Sequence, residues 1–126
     1  MNHAPGFLAI VEDAKTRVAE ITVAAYAEMA SAGSPIVLID VREESEWRAG
    51  HAAHAIHLGK GVIERDIEAR FPDPSLHLLL YCGGGYRSAL AALNIAKMGY
   101  GNVHSVAGGW RAWLAAGLPC EGQPER

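Results

Sequence analysis

Two apolar runs constrain this chain more than anything else in it. Ile36-Val37-Leu38-Ile39 ends abruptly in Asp40, and Leu76 to Tyr81 ends in Cys82, followed at once by Gly83, Gly84 and Gly85. Runs this short and this continuous predict strands buried on both faces, which requires a parallel sheet covered by helices. The intervening segments carry helical spacing. Phe7, Val11, Ala14 and Val18 recur between charged residues, so residues 6–19 read as an amphipathic helix. Further helices are predicted at Val23 to Ser31, Glu43 to Arg48, around Val62, Ile63, Ile67 and Phe71, at Ser88 to Met98, and at Trp110 to Ala116. Shorter strands fall at 20–22, 55–58 and 103–106. The expected fold class is α/β, a central five-stranded, mostly parallel sheet flanked by helices on both faces.

The length of 126 residues predicts one domain, 1–126, with a core of about 20–117, an N-terminal helix over 1–19 and a loose tail at 118–126. No apolar stretch approaches the ~20 residues of a membrane span. Phe7 to Val11 is too short for a signal peptide and runs into Glu12 and Asp13. A net charge of -3 gives no footprint for nucleic acid. Two cysteines, Cys82 and Cys120, are too few for a disulfide scaffold, which makes the cytoplasm the expected location. Fourteen glycines exceed the usual share of about 7%, without any repeat to explain them. That surplus must serve particular backbone positions.

The most consequential of those positions follow Cys82. In open parallel sheets, sites lie beyond the carboxyl ends of the strands. There, Gly83, Gly84 and Gly85 let successive N–H groups point into one concavity, a nest for an anion. The helix predicted from Ser88 adds its free N–H groups and the positive end of its dipole, and Arg87 adds a fixed cation at the mouth. A thiol at that centre is favoured as the nucleophilic thiolate, and the same donors stabilise charge developing on a reactant. A buried, inert cysteine beside a glycine turn is the plain alternative. Neither a Walker-type phosphate loop nor a G-x-G-x-x-G fingerprint is present.

At these residues the chain resembles the rhodanese-like sulfurtransferases. Leu38-Ile39-Asp40-Val41-Arg42-Glu43 is similar to the family's I-D-V-R strand end, and Cys82 to Ser88 to its C-x-x-G-x-R-S loop. Trp47 to Ile56 resembles its G-H-I-x-G segment, Asn102 to Trp110 its N-V-x-x-L-x-G-G element, and Ala112-Trp113 its A-W pair. The resemblance spans about residues 20–117 with the motifs in the family's order. Two departures, Ala52 at the usual isoleucine and His54 at the usual glycine, predict a differently built turn.

The resemblance implies transfer of a sulfane sulfur through a persulfide on Cys82, with ping-pong kinetics. It implies no cofactor and no metal. The donor would be thiosulfate, a persulfide or a polysulfide. The acceptor would be cyanide, a thiol or a protein partner in a sulfur relay. Cys82 and Arg87 would be catalytic, and Gly83, Gly84, Gly85, Tyr86 and Ser88 would bind substrate. Asp40 and Arg42 would support the site, chiefly through a strand-end salt bridge, and Trp110 would wall the pocket or belong to the core. His51 is expected to support structure, His57 to lie at the surface or in packing, and Cys120 to be a bystander thiol. With Arg87 as the only loop cation, thiosulfate is not the obvious preferred donor. Two alternatives stand beside this: a partner-binding or redox-sensing module without turnover, and a cysteine-based phosphatase. The latter is disfavoured because Cys82 to Arg87 is Cys-x4-Arg, one residue shorter than the Cys-x5-Arg loop of those phosphatases.

Overall fold

The computed structural model describes residues 3–122. Five strands form one sheet: β1 (Ala19–Ile21), β2 (Ile36–Asp40), β4 (Ile56–His57), β5 (His77–Tyr81) and β6 (Val103–Val106). Their spatial order is β1-β6-β5-β2-β4, and every neighbouring pair is parallel. The expected sheet is therefore present and fully parallel. Two further strands, β3 (His51–Ala52) and β7 (Cys120–Glu121), form a separate antiparallel ribbon.

Six helices connect these strands: α1 (Pro5–Lys15), α2 (Val23–Ser31), α3 (Glu44–Ala49), α4 (Ile63–Arg70), α5 (Tyr86–Lys97) and α6 (Gly109–Ala115). None of them is long and apolar enough to cross a membrane. The period-2 geometry of a strand sorts the apolar residues of β2 and β5 onto two faces. Ile39, Leu78 and Leu80 pack with Ile63 and Ile67 of α4 and with Ala91, Ala92 and Ile95 of α5. Leu38, Leu79 and Tyr81 pack on the other face with Tyr26 of α2 and Trp113 of α6. Both faces of the central strands are covered, which is why their sequences read as unbroken apolar runs.

Several boundaries differ from the sequence expectation. The first helix stops at Lys15 instead of running to residue 19, because the Thr16 hydroxyl donates to the Asp13 carbonyl and Ala19 already pairs with His104 of β6. The helix after the glycines starts at Tyr86, two residues early, with Gly85 as its N-cap. The tail expected to be loose from residue 118 instead carries β7. Leu118 packs against the second core, and the Pro119 carbonyl accepts from the Trp113 indole and from the Ala53 amide. Residues 123–126 of that tail lie outside the described residues.

The turn at His54 was expected to be differently built. His54 sits at φ 71°, the only non-glycine among the described residues with positive φ. The position still demands the left-handed backbone that glycine adopts freely, and here a histidine bears the strain.

Candidate active site

The topology locates a crevice. After β2 the chain moves outward to β4 on one side, and after β5 it moves to β6 on the other, so the connections diverge between β2 and β5. Such a switch point opens a gap beyond the carboxyl ends of the two strands. Asp40, at the end of β2, lies opposite Tyr81, at the end of β5, and Cys82 is the next residue.

The sulfur of Cys82 is held from below and behind. The Gly85 amide donates to Sγ at 3.2 Å and the Ser88 amide at 3.3 Å. These are the N-cap and first-turn amides of α5, groups with no partner inside their own helix. Ser88 Oγ lies 3.4 Å from Sγ and 2.8 Å from Ser105 Oγ of β6, and both serines are wholly buried. Ser88, expected to bind substrate, thus stands behind the sulfur. Its hydroxyl and the Ser105 hydroxyl form a short chain that can turn a donor toward a thiolate.

The loop owes its shape to α6. The Trp110 amide donates to the Cys82 carbonyl at 2.7 Å, and the Arg111 amide to the Gly83 carbonyl at 3.1 Å. With the carbonyls drawn outward, the N–H groups of Gly85 and Ser88 face the sulfur. This close approach depends on Gly109, where a Cβ would run into the Cys82 carbonyl. Gly85, at φ 96°, makes the turn that starts α5.

The cations divide into three conditions. Arg87 reaches back over Gly83 and pairs bidentately with Glu46 of α3, at 2.8 and 3.1 Å. Its hydrogen bond holds the Glu46 carboxylate below its ordinary range and raises the guanidinium in turn. Arg42 is buried with its charge fully matched: it pairs with Asp40 at 2.8 Å and donates to the Gly50 carbonyl at 2.7 Å. Burial opposes that charge, but the Asp40 hydrogen bonds and field outweigh it and hold Arg42 above its usual value. Arg111 is exposed and forms no ion pair among the described residues.

Cys82 is only 1% exposed, yet it contributes to the floor of a cleft of about 470 Å³. Gly83, Gly84, Tyr86, Arg87, Glu46 and Arg111 line that cleft, together with His3 and Phe7 from the N-terminal segment. Only a narrow group could reach a sulfur so covered. A second cleft, of about 290 Å³ beside α2 and lined by Tyr26, Ala30, Trp113 and Leu118, holds neither cysteine nor arginine.

Of the residues singled out in the sequence, Cys82 and the three glycines come together with Tyr86, Arg87 and Ser88 in one loop and the first turn of α5. Asp40 and Arg42 adjoin it but bond to each other, to Gly50 and to Tyr81, whose hydroxyl donates to Asp40 at 2.7 Å. Burial first, and then the Asp40 charge, push that phenol far above its ordinary value. Trp110 does not wall the cleft. It lies under the Arg42 guanidinium, 4.8 Å from its ring centre, and packs against the second core.

His51 stacks on Trp47 with centroids 3.4 Å apart and bonds the Trp47 carbonyl through Nδ1. His57 bonds the Arg42 carbonyl and faces a different cleft. Cys120 is exposed on β7. Among the described residues no three His, Cys, Asp or Glu side chains converge as a metal site.

Five residues of the site carried no sequence assignment. Glu46 was legible only as the fourth residue of an acidic helix start, and Ser105 only as a polar residue inside a strand. Phe7 was legible only as an apolar position of the first amphipathic helix, and Arg111 and His3 gave no local signal.

Comparison with known proteins agrees with this geometry. The family model described as rhodanese-like domain matches residues 22–116. The thiosulfate sulfurtransferase GlpE of Vibrio cholerae is 34% identical over 85 residues, covering 67% of this chain and 77% of that protein. Among solved structures, a Rhodopseudomonas palustris protein of unknown function, described as a possible tyrosine phosphatase, superimposes with a TM-score of 0.82 at 30% identity. The match covers 96% of this chain and 98% of that one. The polysulfide-sulfur transferase homodimer of Wolinella succinogenes gives a TM-score of 0.80 at 26% identity, covering 96% of this chain and 90% of its own.

Proposed function

This chain belongs to the rhodanese-like family, and from that premise we propose that it is a sulfurtransferase that carries a sulfane sulfur on Cys82. The observation that carries the reading is the pair of backbone amides, Gly85 and Ser88, aimed at a cysteine sulfur on a cleft floor. Donors fixed in a water-poor site stabilise a charged sulfur without reorganising when the charge arrives. The Cys-x4-Arg spacing and the single-atom access suit a sulfur more than a tetrahedral phosphate.

The Cys82 thiolate attacks the outer sulfur of thiosulfate or of a persulfide or polysulfide. A new S–S bond forms, the donor's S–S bond breaks, and its electron pair leaves with sulfite or the corresponding thiolate. The Cys82 persulfide anion then sits among the amides of the loop. An acceptor (cyanide, a small thiol or a protein thiol) attacks the terminal sulfur and returns Cys82 as thiolate. Two displacements through one covalent intermediate give ping-pong kinetics. Arg87, steadied by Glu46, supplies positive potential at the loop, and no step calls on a cofactor.

Intact-mass measurement after exposure to a panel of sulfane donors tests this. One added sulfur (about 32 Da) on the wild-type protein, absent from Cys82→Ser, is the expected result. Thiocyanate should form from thiosulfate and cyanide with the same dependence. A wild-type protein that takes up no sulfur from any donor overturns the reading.

A further inference from the structure

The Cys82 cleft is larger and differently walled than an inorganic donor requires. Its volume of about 470 Å³ falls in the range of roughly 300–1,000 Å³ typical of pockets for small organic molecules. One wall is aromatic. The rings of His3 and Tyr86 have centroids 4.8 Å apart, His3 and Phe7 5.3 Å, and Phe7 and Tyr86 6.2 Å. His3 and Phe7 precede residue 22, where the match to the family model begins.

This wall is firmly mounted. Val11 and Ala14 are buried on α1, which packs along α5, and Lys15 lies over the Tyr86 ring at 5.0 Å. The same cleft is lined by Arg111. Arg87 is engaged by Glu46, whereas the Arg111 guanidinium lies beside Gly84, facing the cleft without an acidic partner among the described residues. An aromatic wall and a guanidinium without an ion pair among the described residues, both lining the cleft that holds Cys82, make an asymmetric site. Thiosulfate has no apolar part with which to use the wall.

Resting on the sulfurtransferase reading, we propose that Phe7, His3 and Tyr86 form a subsite for the organic portion of a sulfane donor. Arg111 takes an anionic group on that portion. The donor class is an organic persulfide or thiosulfonate with an apolar body and a carboxylate. The chemistry balances as before: the Cys82 thiolate bonds to the donor's terminal sulfur, and the donor's S–S bond breaks. The electron pair departs on the organic sulfur as thiolate or sulfinate. The N-terminal helix is thereby a specificity element for the transfer.

Three probes test it, thiosulfate (which releases sulfite) and benzenethiosulfonate and 4-carboxybenzenethiosulfonate (which release the arenesulfinates), each with cyanide as acceptor and thiocyanate as readout. Phe7→Ala should lower the ratio of kcat/KM for benzenethiosulfonate to that for thiosulfate about tenfold, the loss of one aromatic contact. Arg111→Ala should lower the ratio of the carboxylated to the plain aryl donor about fivefold, as for a partly exposed ion pair. Partial unfolding cancels in such ratios because the donors are read on the same sample. Ile10→Ala, at a 55% exposed position on the same helix, should keep both wild-type ratios.

Ratios that stay within twofold of wild type in Phe7→Ala and Arg111→Ala overturn the subsite. So does an Ile10→Ala variant that shifts them as far. In those cases turnover itself persists and the sulfurtransferase reading stands. No thiocyanate from any donor, with no sulfur on Cys82, overturns both readings together.

Discussion

At the carboxyl edge of the sheet, β2 and β5 end side by side, and each places a buried, chemically capable group there. At the end of β2, Asp40 accepts from Arg42 and from the Tyr81 hydroxyl, while that hydroxyl accepts from the Ala52 amide. Arg42 spends its remaining reach on Gly50. Charges and donors match within one closed knot. At the end of β5, the Cys82 sulfur accepts from two amides and donates to the Ser88 hydroxyl behind it, and it faces a cleft in front. Burial is nearly complete at both ends, so burial does not tell them apart. The side left without a protein partner does.

Substitutions can break that contrast. The largest expected effect is at the open end. Cys82→Ser should reduce sulfur transfer to background, while its urea midpoint moves by under ~1 kcal/mol equivalent, since Ser nearly matches Cys in volume. A loss of stability comparable to a core truncation would mean that Cys82 is structural after all.

The closed end should respond in the opposite way. Arg42→Met leaves the Asp40 carboxylate buried without its counter-charge, and unfolding measurements should show a loss of about 3–5 kcal/mol. Transfer per folded molecule should fall far less than in Cys82→Ser. If the folded Arg42→Met protein is as inactive as Cys82→Ser, the two strand ends work as one site and the contrast dissolves.

Glu46→Gln probes the link between the two ends, because Glu46 belongs to the helix that follows β2 and pairs with the loop's arginine. The Glu46 carboxyl is depressed in the folded protein, chiefly by the Arg87 hydrogen bond. Its stabilising contribution is therefore complete above the ordinary carboxylate value of about 4.3 and is lost as pH falls through the lower folded value. Wild type should lose stability more steeply than Glu46→Gln on acidification below that value, by an amount that added salt reduces. Identical acid profiles would show that the pair contributes nothing measurable.

The smallest effect is expected in the turn that buttresses the closed end. His54→Gly relieves a left-handed backbone at a cost in unfolded-state entropy, so a net gain of up to about 1 kcal/mol should appear in thermal unfolding. Activity should be unchanged.

The sheet was legible because both faces of β2 and β5 are covered, which leaves an unbroken apolar signature. The loop was legible because three glycines after a strand have few other uses. Other features leave no such trace. β3 and β7 have two residues each, too few to show a period, and pair across some seventy positions. Glu46 and Arg87 are 41 positions apart, and nothing in either local pattern selects the other. Trp110 stays open between pocket wall and core in the sequence, because a tryptophan after two glycines at a strand end suits either; its ring packs on the second core and covers a guanidinium. The aromatic wall over Cys82 depends on how α1 lies across α5, a packing choice that periodicity cannot express.

The tether between α6 and the loop gives the molecule a built-in gauge. Amides in the first turn of a helix ordinarily lack a partner and trade their hydrogens with water quickly. Those of Trp110 and Arg111 are instead occupied by the Cys82 and Gly83 carbonyls. Their exchange with deuterated solvent is therefore governed by the integrity of the neighbouring loop rather than by fraying of their own helix. Two backbone hydrogens that never touch the sulfur report whether its cradle is intact, in every variant and with every reactant.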